Sequence, residues 1–428
     1  MSDTDLIVLG WARSAVAPVG GALAGCAAHE LGAPVVTALL AHCGVRADQV
    51  DALVAGNALG AGGNPARMVA LAAGLPDGCA ALSVDTQCCA GLDAVGVAAG
   101  LLATGGASLV VAGGVEAWSR APLRLHRPLR PDDAPRPYAR PAFAPDPARD
   151  PDLLAAAAAH ARSQRLTRVR QDAFAMLSHA RTLDARAALT DEIVPVAGLL
   201  ADSYARRLDA VRVARLPLAM GTPTAAIVPV RPLNGGASKG DAAAPADEGS
   251  GHTVASGIAV GRDSAHAAAD DDYGQSRLAV APQADGAAFV VLTTRAAARQ
   301  AGWRARAVWR GSVALGVAPE QPMLAAEAAA RRLLQRQGLR IDDVVVLELH
   351  DAFAAQALAF ADAFGIAPER LNRRGGGLGR GHPIGASGAV SLVRLLADLA
   401  RDEASGALGL VAVAGAGGIG SAALLERV

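Results

Sequence analysis

The segment SVDTQCCAGLDA (residues 83–94) combines a strand end, a turn and a helix start around two adjacent cysteines. A short apolar run ends in this segment, a tight turn follows, and a helix is predicted to begin near Cys89, so that Cys88 lies where a strand passes into a helix. The free N–H groups and the positive dipole end of a helix start favour a thiolate. A lone cysteine is more often a buried structural residue. This segment alone therefore leaves a catalytic and a structural interpretation open.

Short apolar runs alternate with longer helical patterns on both sides of this segment. Strands are predicted at residues 6–10, 52–56, 81–85, 108–114, 307–315, 344–350, 408–415 and 421–427. Helices are predicted over residues 28–41, 89–104, 320–337, 352–364 and 387–399. This alternation predicts mostly parallel sheets covered on both faces. Because both halves contain a strand–turn–helix unit with reactive residues at the turn, we expect a duplicated α/β unit with a site between the halves.

The middle of the chain has a different composition. Residues 121–150 are rich in Pro and Arg, which predicts an extended excursion, and helical patterning returns over residues 151–188. Residues 233–275 contain few large apolar side chains and are predicted to be flexible. A long insertion between two α/β halves is typical of a lid or an oligomerisation element.

The overall composition limits the classes of function. The chain has 40 basic and 40 acidic residues, which argues against nucleic acid as a partner. Its five cysteines show neither the spacing of a metal site nor that of a disulfide framework, so we expect no metal and a reducing, cytoplasmic setting. The first residues lack a secretory pattern, and no apolar run reaches the ~20 residues of a membrane span, so no membrane association is expected.

Three further segments carry candidate catalytic groups. GGGLGRGHPIGASGA (375–389) delivers His382 on a glycine-rich loop just before a predicted helix, and ELHDAFAAQAL (348–358) places His350 at the end of a buried strand. VAGAGGIG (413–420) is a glycine turn whose amides suit an oxyanion. Each motif is weak when it is taken alone.

Together these segments resemble the thiolase family over nearly the whole chain. Residues 88–91 match the family's Cys-x-Ser-Gly motif, residues 372–388 match its Asn-x-x-Gly-Gly…Gly-His-Pro-x-Gly-x-Ser-Gly motif, and residues 350–353 match its Asn-Glu-Ala-Phe motif. Supporting matches are GNALGAGGNPAR (56–67), AGGVEAWSRAP (112–122), RQDAFAMLSHAR (170–181), DEIVPV (191–196) and DGAA (285–288).

The resemblance implies an α/β thiolase fold, which is a duplicated five-layered αβαβα sandwich with an inserted loop domain. It assigns residues 1–121 and 252–294 to the N-terminal half, 122–251 to the loop domain and 295–428 to the C-terminal half. It also implies coenzyme A thioesters as substrates, with no permanently bound cofactor. The expected partners are acyl-CoA or acyl-carrier-protein thioesters and further copies of the chain, in a homodimer or a homotetramer.

The resemblance also implies roles for individual residues. Cys88 is the nucleophile that becomes acylated, and His382 is the histidine that helps to deprotonate it. Backbone amides of Cys88 and Ala416 form the oxyanion hole. His350 replaces the family's Asn, and it is the candidate base for a condensation step.

One departure from the family pattern affects the chemistry. The family's C-terminal Cys-x-Gly becomes Ala414-Gly415-Ala416, so the thiol that removes the α-proton of acetyl-CoA is absent. A different branch of the family carries this cysteine at a position that is Ala352 here. Cys89 is a poor substitute, because its side chain should point roughly 100° away from that of Cys88.

Three functions stay open after this departure. The first is a thiolase-like acyl-CoA C-acyltransferase that works through acyl-Cys88 with non-standard acid/base chemistry. The alternative is a decarboxylating, ketosynthase-like or acyl-transfer enzyme with a Cys-His-His set, and the third is a scaffold paralogue with reduced catalysis. The coenzyme A-binding residues are not assigned, because segments 153–161 and 279–288 depart from the family pattern and 251–261 is an ambiguous match. The Arg-rich stretch 120–140 suits either a coenzyme A phosphate or plain solvent exposure.

Overall fold

Helices and strands alternate along the residues that the computed structural model describes, which are 3–60, 62–219 and 273–428. The strands are β1 Leu6–Ser14, β2 Ala17–Pro18, β3 Ala52–Gly56, β4 Ala80–Val84, β5 Leu109–Ala117, β6 Leu125–His126, β7 Arg136–Pro137, β8 Ile193–Val194, β9 Ala284–Thr294, β10 Ala307–Gly316, β11 Val344–Leu349, β12 Leu408–Gly415 and β13 Ile419–Arg427. The helices are α1 Ala28–Cys43, α2 Pro65–Ala72, α3 Ala90–Ala103, α4 Leu153–Ser163, α5 Arg168–Asp184, α6 Ala210–Val213, α7 Arg295–Ala301, α8 Ala325–Gln337, α9 Ala354–Phe364, α10 Gly377–Arg380 and α11 Ser387–Asp402.

The main strands form two sheets of the same design. In the first half the order is β4-β3-β5-β9-β1, and in the second it is β11-β12-β13-β10. Each has parallel pairing at one side, β3 with β5 and β11 with β12, followed by antiparallel partners. A short antiparallel contact between β1 and β10 joins the two sheets. This repeated pairing pattern is what a duplicated α/β unit predicts. The prediction of mostly parallel sheets is wrong, because five of the eight pairings along this order are antiparallel. β9 runs antiparallel to both of its neighbours, and β12 and β13 form a hairpin.

The helices complete five layers. α3 and α11 pack against each other between the two sheets, and their apolar side chains form one core with the inner sheet faces. α1 and α2 cover the outer face of the first sheet, while α8 and α9 cover the second. α3 is rich in Ala and Gly and is buried on most sides, which suits a helix between two sheets. The layers are those of the predicted αβαβα sandwich.

Several elements differ from the sequence predictions. α2, α7 and β9 were not predicted. β9 lies between β1 and β5 near the middle of the first sheet, and it begins with Ala-Asp-Gly, which is typical of a turn, before its apolar run. The helix predicted from residue 320 begins at Ala325, after a 3₁₀ turn at Pro322–Leu324, because proline lacks the N–H that a helix interior needs.

The middle segment agrees with its prediction where it is described. Residues 121–150 contain only a two-residue ribbon of β6 with β7 and one 3₁₀ turn, and α4 and α5 follow. The predicted flexible stretch 233–275 and the boundary at 252 fall mostly or wholly outside the described residues, and the three-domain division stays a prediction. None of the helices described here is long and apolar enough to cross a membrane.

Buried ion pairs connect the middle segment to both halves. Arg13 on β1 donates to Glu192 and Asp202 of the middle segment at 2.6 and 2.7 Å. Arg394 on α11 also donates to Glu192. One carboxylate therefore contacts a guanidinium from each half, and such buried charges are tolerated because each is paired.

Glycines allow the loop after His382 to dock against the first half. The carbonyl oxygen of Gly385 would lie 2.4 Å from a Cβ placed on Gly114 and 2.5 Å from one placed on Gly56. These distances are shorter than real Cβ contacts, so backbone meets backbone with no room for a side chain. The docking fixes how far the His382 loop lies from the start of α3.

We predict that Gly114→Ala loosens this docking. The added methyl group overlaps the Gly385 oxygen and the Ala386 backbone, and overpacking of this kind costs about 1–3 kcal/mol. The urea midpoint should therefore fall. Gly78→Ala is the matched control, because a Cβ there meets nothing within 4 Å. Equal midpoints for the two variants would contradict the prediction.

Candidate active site

Cys88 lies in a tight turn between β4 and α3. The turn is a 3₁₀ segment, Gln87–Cys89, and Gln87 has a φ of 54°, in the left-handed region that non-glycine residues seldom adopt. Asp85 supports it by accepting the Gln87 N–H at 3.0 Å. Such local strain persists only where the surroundings hold it, and it clusters at functional sites.

His382 approaches Cys88 from the second half. Its Nε2 lies 3.2 Å from the Cys88 Sγ. The His382 backbone donates to the Pro282 carbonyl at 2.7 Å and accepts from Ala284 N–H at 3.2 Å, which fixes the residue to the start of β9. The structure therefore brings together the two residues that the sequence analysis ranked first.

The other ring nitrogen of His382 has two neighbours. Nδ1 lies 2.7 Å from Ser387 Oγ and 2.6 Å from His350 Nε2. Ser387 donates its own hydrogen to the Pro383 carbonyl at 3.0 Å, so it accepts from His382. This network assigns the proton to His382 Nδ1 and leaves Nε2 with a lone pair for the Cys88 thiol.

His350 lies behind His382 rather than beside the substrate space. It follows β11, is 2% exposed, and its ring centre lies 4.5 Å from that of His382. It does not line the cavity that contains Cys88. His350 is therefore placed to act on His382, whereas direct action on a bound substrate would need a rearrangement.

Burial keeps the three groups neutral. It raises the pKa of the Cys88 thiol to about 12, and the backbone N–H groups of Ala416 and Cys88 oppose this only in part. Burial also lowers the pKa of His382 to about 4. The pKa of His350 is lowered well below its usual value by burial and by His382. The resting pair at neutral pH is thus a thiol beside an imidazole, and the imidazole is free to accept a proton.

Cys88 and His382 share one cavity of about 340 Å³. Both halves and the middle segment contribute to its wall, which is mainly apolar and includes Trp118, Phe143, Leu153, Leu154, Met323 and Phe353. A larger cavity of about 590 Å³ lies near Trp11 and Arg306, but it contains neither residue of the pair. Because the smaller cavity contains both Cys88 and His382, it is the candidate active site.

The positions expected for a second thiol face this cavity without one. Ala414 and Ala352 both line it. Cys89 is fully buried and turns towards the Val413 carbonyl, with its Sγ 3.6 Å from that oxygen. Of the described residues in this wall, only Cys88 carries a thiol and none carries a carboxylate. The described part of the chain also has no cluster of three or more side chains suited to a metal.

Three residues near the site were not predicted to have a role. Ser387 contacts His382 directly, Trp118 lies edge-on to the His382 ring with centroids 6.2 Å apart, and Glu116 binds the Gly385 N–H. All three occur in segments that the sequence analysis quoted. The motifs that contain these residues could have drawn attention to them. Their contacts, however, depend on how the two halves of the molecule pack together.

Comparisons with known proteins agree with this geometry. The model of the family described as "Thiolase, N-terminal domain" matches residues 6–211, and that of "Thiolase, C-terminal domain" matches residues 303–427. An acetyl-CoA acetyltransferase of Cupriavidus necator is 33% identical over 99% of this chain and 100% of its own length. A beta-ketoadipyl-CoA thiolase of Pseudomonas putida is 30% identical, with the same coverage.

Solved structures show the same fold. The crystal structure of the Bacillus anthracis acetyl-CoA acetyltransferase aligns with a TM-score of 0.81 at 26% identity and covers 99% of each chain. The Acat5 thiolase of Ascaris suum, in complex with coenzyme A, aligns with a TM-score of 0.81 at 24% identity over 99% of this chain and 100% of its own.

The neutral resting pair predicts how Cys88 responds to alkylation. Because burial raises its pKa to about 12, the thiolate fraction should increase up to at least pH 10. We expect the rate of iodoacetamide labelling at Cys88, followed by peptide mass spectrometry, to rise over this whole range. Cys88→Ser identifies the peptide. A plateau below pH 8 would instead indicate a preformed thiolate–imidazolium pair.

Proposed function

Since the chain belongs to the thiolase family, we propose that Cys88 carries the acyl group in its reaction. The protein is an acyltransferase of the acyl-CoA C-acyltransferase type. The observation that carries the proposal is the 3.2 Å contact between Cys88 Sγ and His382 Nε2 in a mainly apolar cavity. The paired nucleophile and base are the pattern expected for covalent catalysis.

The first step is acyl transfer to Cys88. His382 Nε2 takes the thiol proton while the sulfur attacks the carbonyl carbon of an acyl-CoA. The carbon–sulfur bond to coenzyme A then breaks, and the departing thiolate receives the proton from His382. Because the pKa values keep the resting pair neutral, proton transfer accompanies the attack rather than precedes it.

Two backbone amides suit the oxyanion of this step. The N–H groups of Cys88 and Ala416 both act on the Cys88 sulfur, lowering its pKa. An acyl group on that sulfur brings its carbonyl oxygen close to the same donors. Ala416 belongs to the turn between β12 and β13, so the second half supplies one of the two donors.

His350 is proposed as a positioning residue. Its Nε2 accepts from His382 Nδ1, together with Ser387 Oγ, and the two contacts fix the tautomer that presents a lone pair to Cys88. This role replaces the direct condensation base considered from the sequence, because His350 does not line the cavity.

Two carbon nucleophiles fit the second half-reaction. In the described cavity wall the titratable groups are Cys88, His382, Arg124 and Arg140. Arginine stays protonated and Cys88 is acylated at this stage, which leaves His382 as the base. A malonyl thioester forms its enolate by losing carbon dioxide and needs no α-proton abstraction. The decarboxylating reaction is therefore the second candidate, and acetyl-CoA condensation through His382 is the first.

Two features support the proposed partners. Arg124 and Arg140 line the cavity and are the two cationic side chains in its described wall, which suits the phosphates of a coenzyme A thioester. Among the described strands, β4 pairs with β3 alone, and Leu82 on β4 and Met68 on α2 are both exposed. An unpaired strand edge with apolar side chains suits a second copy of the chain, which supports a homodimer or homotetramer.

Substrate trials with mass detection test this proposal. The protein is mixed with acetyl-CoA, acetoacetyl-CoA or malonyl-CoA, and the intact mass and the products are followed. We expect a stable thioester on Cys88, and Cys88→Ser should abolish it. Thiolysis of acetoacetyl-CoA supports the first candidate, whereas products from malonyl-CoA alone support the second. No acylation by any thioester would favour a scaffold role.

Ala414→Cys provides a matched gain-of-function variant for the same trial. Ala414 lines the cavity, so a thiol there should increase hydrogen exchange at the α-carbon of acetyl-CoA. Ala139→Cys, at a residue of the middle segment in the same wall, is the control. Equal exchange in both variants would mean that position 414 is not the acid/base position.

A further inference from the structure

Glu116 is a buried carboxylate at the end of β5 that accepts four hydrogen bonds. Its Oε1 accepts from Asn57 Nδ2 at 2.9 Å and from Leu59 N–H at 3.3 Å. Its Oε2 accepts from Ala58 N–H at 3.0 Å and from Gly385 N–H at 2.9 Å. The side chain is 1% exposed.

These four donors come from both halves of the molecule. Residues 57–59 follow β3 in the first half, and Leu59 lines the catalytic cavity. Gly385 belongs to the second half, three residues after His382. One carboxylate therefore links the wall of the cavity to the loop that carries the catalytic imidazole.

The contact with Gly385 leaves little space for movement. A Cβ on Gly385 would lie 2.6 Å from the Asn57 Cα and 2.8 Å from Glu116 Oε2. The loop thus rests on backbone on one side and on the carboxylate on the other. A shift of Gly385 away from Glu116 would also shift His382, because only two residues separate them.

We propose that Glu116 is a positioning residue for the acylation of Cys88, and that its ionised carboxylate keeps His382 at reacting distance from the sulfur. The inference rests on the proposed acyl-Cys88 chemistry. Glu116 does not touch the substrate space and acts only through the His382 loop.

The donor pattern explains why ionisation matters. Each carboxylate oxygen faces two N–H donors, and none of the four partners offers an acceptor. A protonated carboxyl, or the amide of glutamine, would turn a donor towards one of these pairs. A buried N–H that loses its acceptor in this way costs free energy. The side chain at position 116 would therefore move away from one of the two pairs of N–H donors.

Burial places the ionisation of Glu116 near neutral pH. Burial raises the pKa of Glu116 to about 7, against the N–H groups of Ala58, Gly385 and Leu59, and Asp85 raises it further. Cys88 and His382, on the elements packed around Glu116, have pKa values of about 12 and about 4 and do not titrate there. The carboxylate is present above about pH 7, so acylation should fall as the pH decreases through that value.

Two more buried carboxyls titrate in a similar range. The pKa of Asp351 is raised to about 6 and that of Glu348 to about 8, both by burial. Neither carboxyl contacts residues 57–59 or Gly385 among the described hydrogen bonds. Substitution of Glu116 therefore separates its contribution to the pH profile from theirs.

The test measures the burst of Cys88 acylation by quenched-flow intact mass between pH 5.5 and 9. Glu116→Gln should slow the burst about 10-fold or more at pH 8, the effect of losing a hydrogen bond to a charged group, and it should abolish the fall near pH 7. Asp51→Asn is the matched control, since Asp51 accepts two backbone N–H groups at the opposite end of β5. An unchanged rate and profile in Glu116→Gln would overturn the proposal.

Asn57→Ala gives a second test that does not depend on how Glu116→Gln folds. Removing one donor raises the pKa of Glu116. The fall in acylation rate at low pH should therefore begin at a higher pH in Asn57→Ala than in the wild type. An unmoved limb would contradict the role. If no thioester acylates the wild type, the acyl-Cys88 proposal fails by itself, and the same variants are compared by iodoacetamide labelling of Cys88. Equal labelling in all of them would then overturn the role of Glu116.

Discussion

The contact between Cys88 and His382 is the constraint on which the rest of the structure depends, because its two atoms belong to different halves of a duplicated fold. Neither half can hold a 3.2 Å distance alone. Three sets of contacts hold the His382 loop in place. They are the close packing of Gly56 and Gly114 against Gly385, the hydrogen bond from Gly385 to Glu116, and the pairing of His382 with the start of β9. A reactive thiol that burial would otherwise make inert is useful only if the base is held this firmly.

Much of the fold could be predicted from the chain, since alternating apolar and helical patterns are local properties. The strands around Cys88 and His350 and the helix after His382 follow directly from this periodicity. β9 was not recognised, because it begins with Ala-Asp-Gly, which is typical of a turn, although the apolar run that follows resembles those of β3 and β5. The start of α8 was wrong by five residues, since the sequence analysis did not weigh Pro322.

The candidate site was predictable as a set of residues but not as an arrangement. A strand-to-helix turn indicated Cys88 and a glycine-rich loop indicated His382, and the structure brings the two residues together. The position of His350 behind His382 depends on how β11 lies relative to the loop, which no local pattern encodes. Glu116 occurs in a quoted motif, yet its partners come from residues 57–59 and 385, so only the docked halves reveal its contacts. Ala352 and Ala414 both line the cavity, which the sequence pattern alone does not reveal.

All of these contacts serve one step, in which His382 takes the proton from Cys88 during acylation. The rate of Cys88 acylation in His382→Gln, measured by quenched-flow intact mass with an acyl-CoA, tests that step. General-base catalysis contributes about 10²–10⁴ in rate, so the variant should lose at least about 100-fold at an unchanged fold. An acylation rate equal to that of the wild type would mean that His382 does not act as the base.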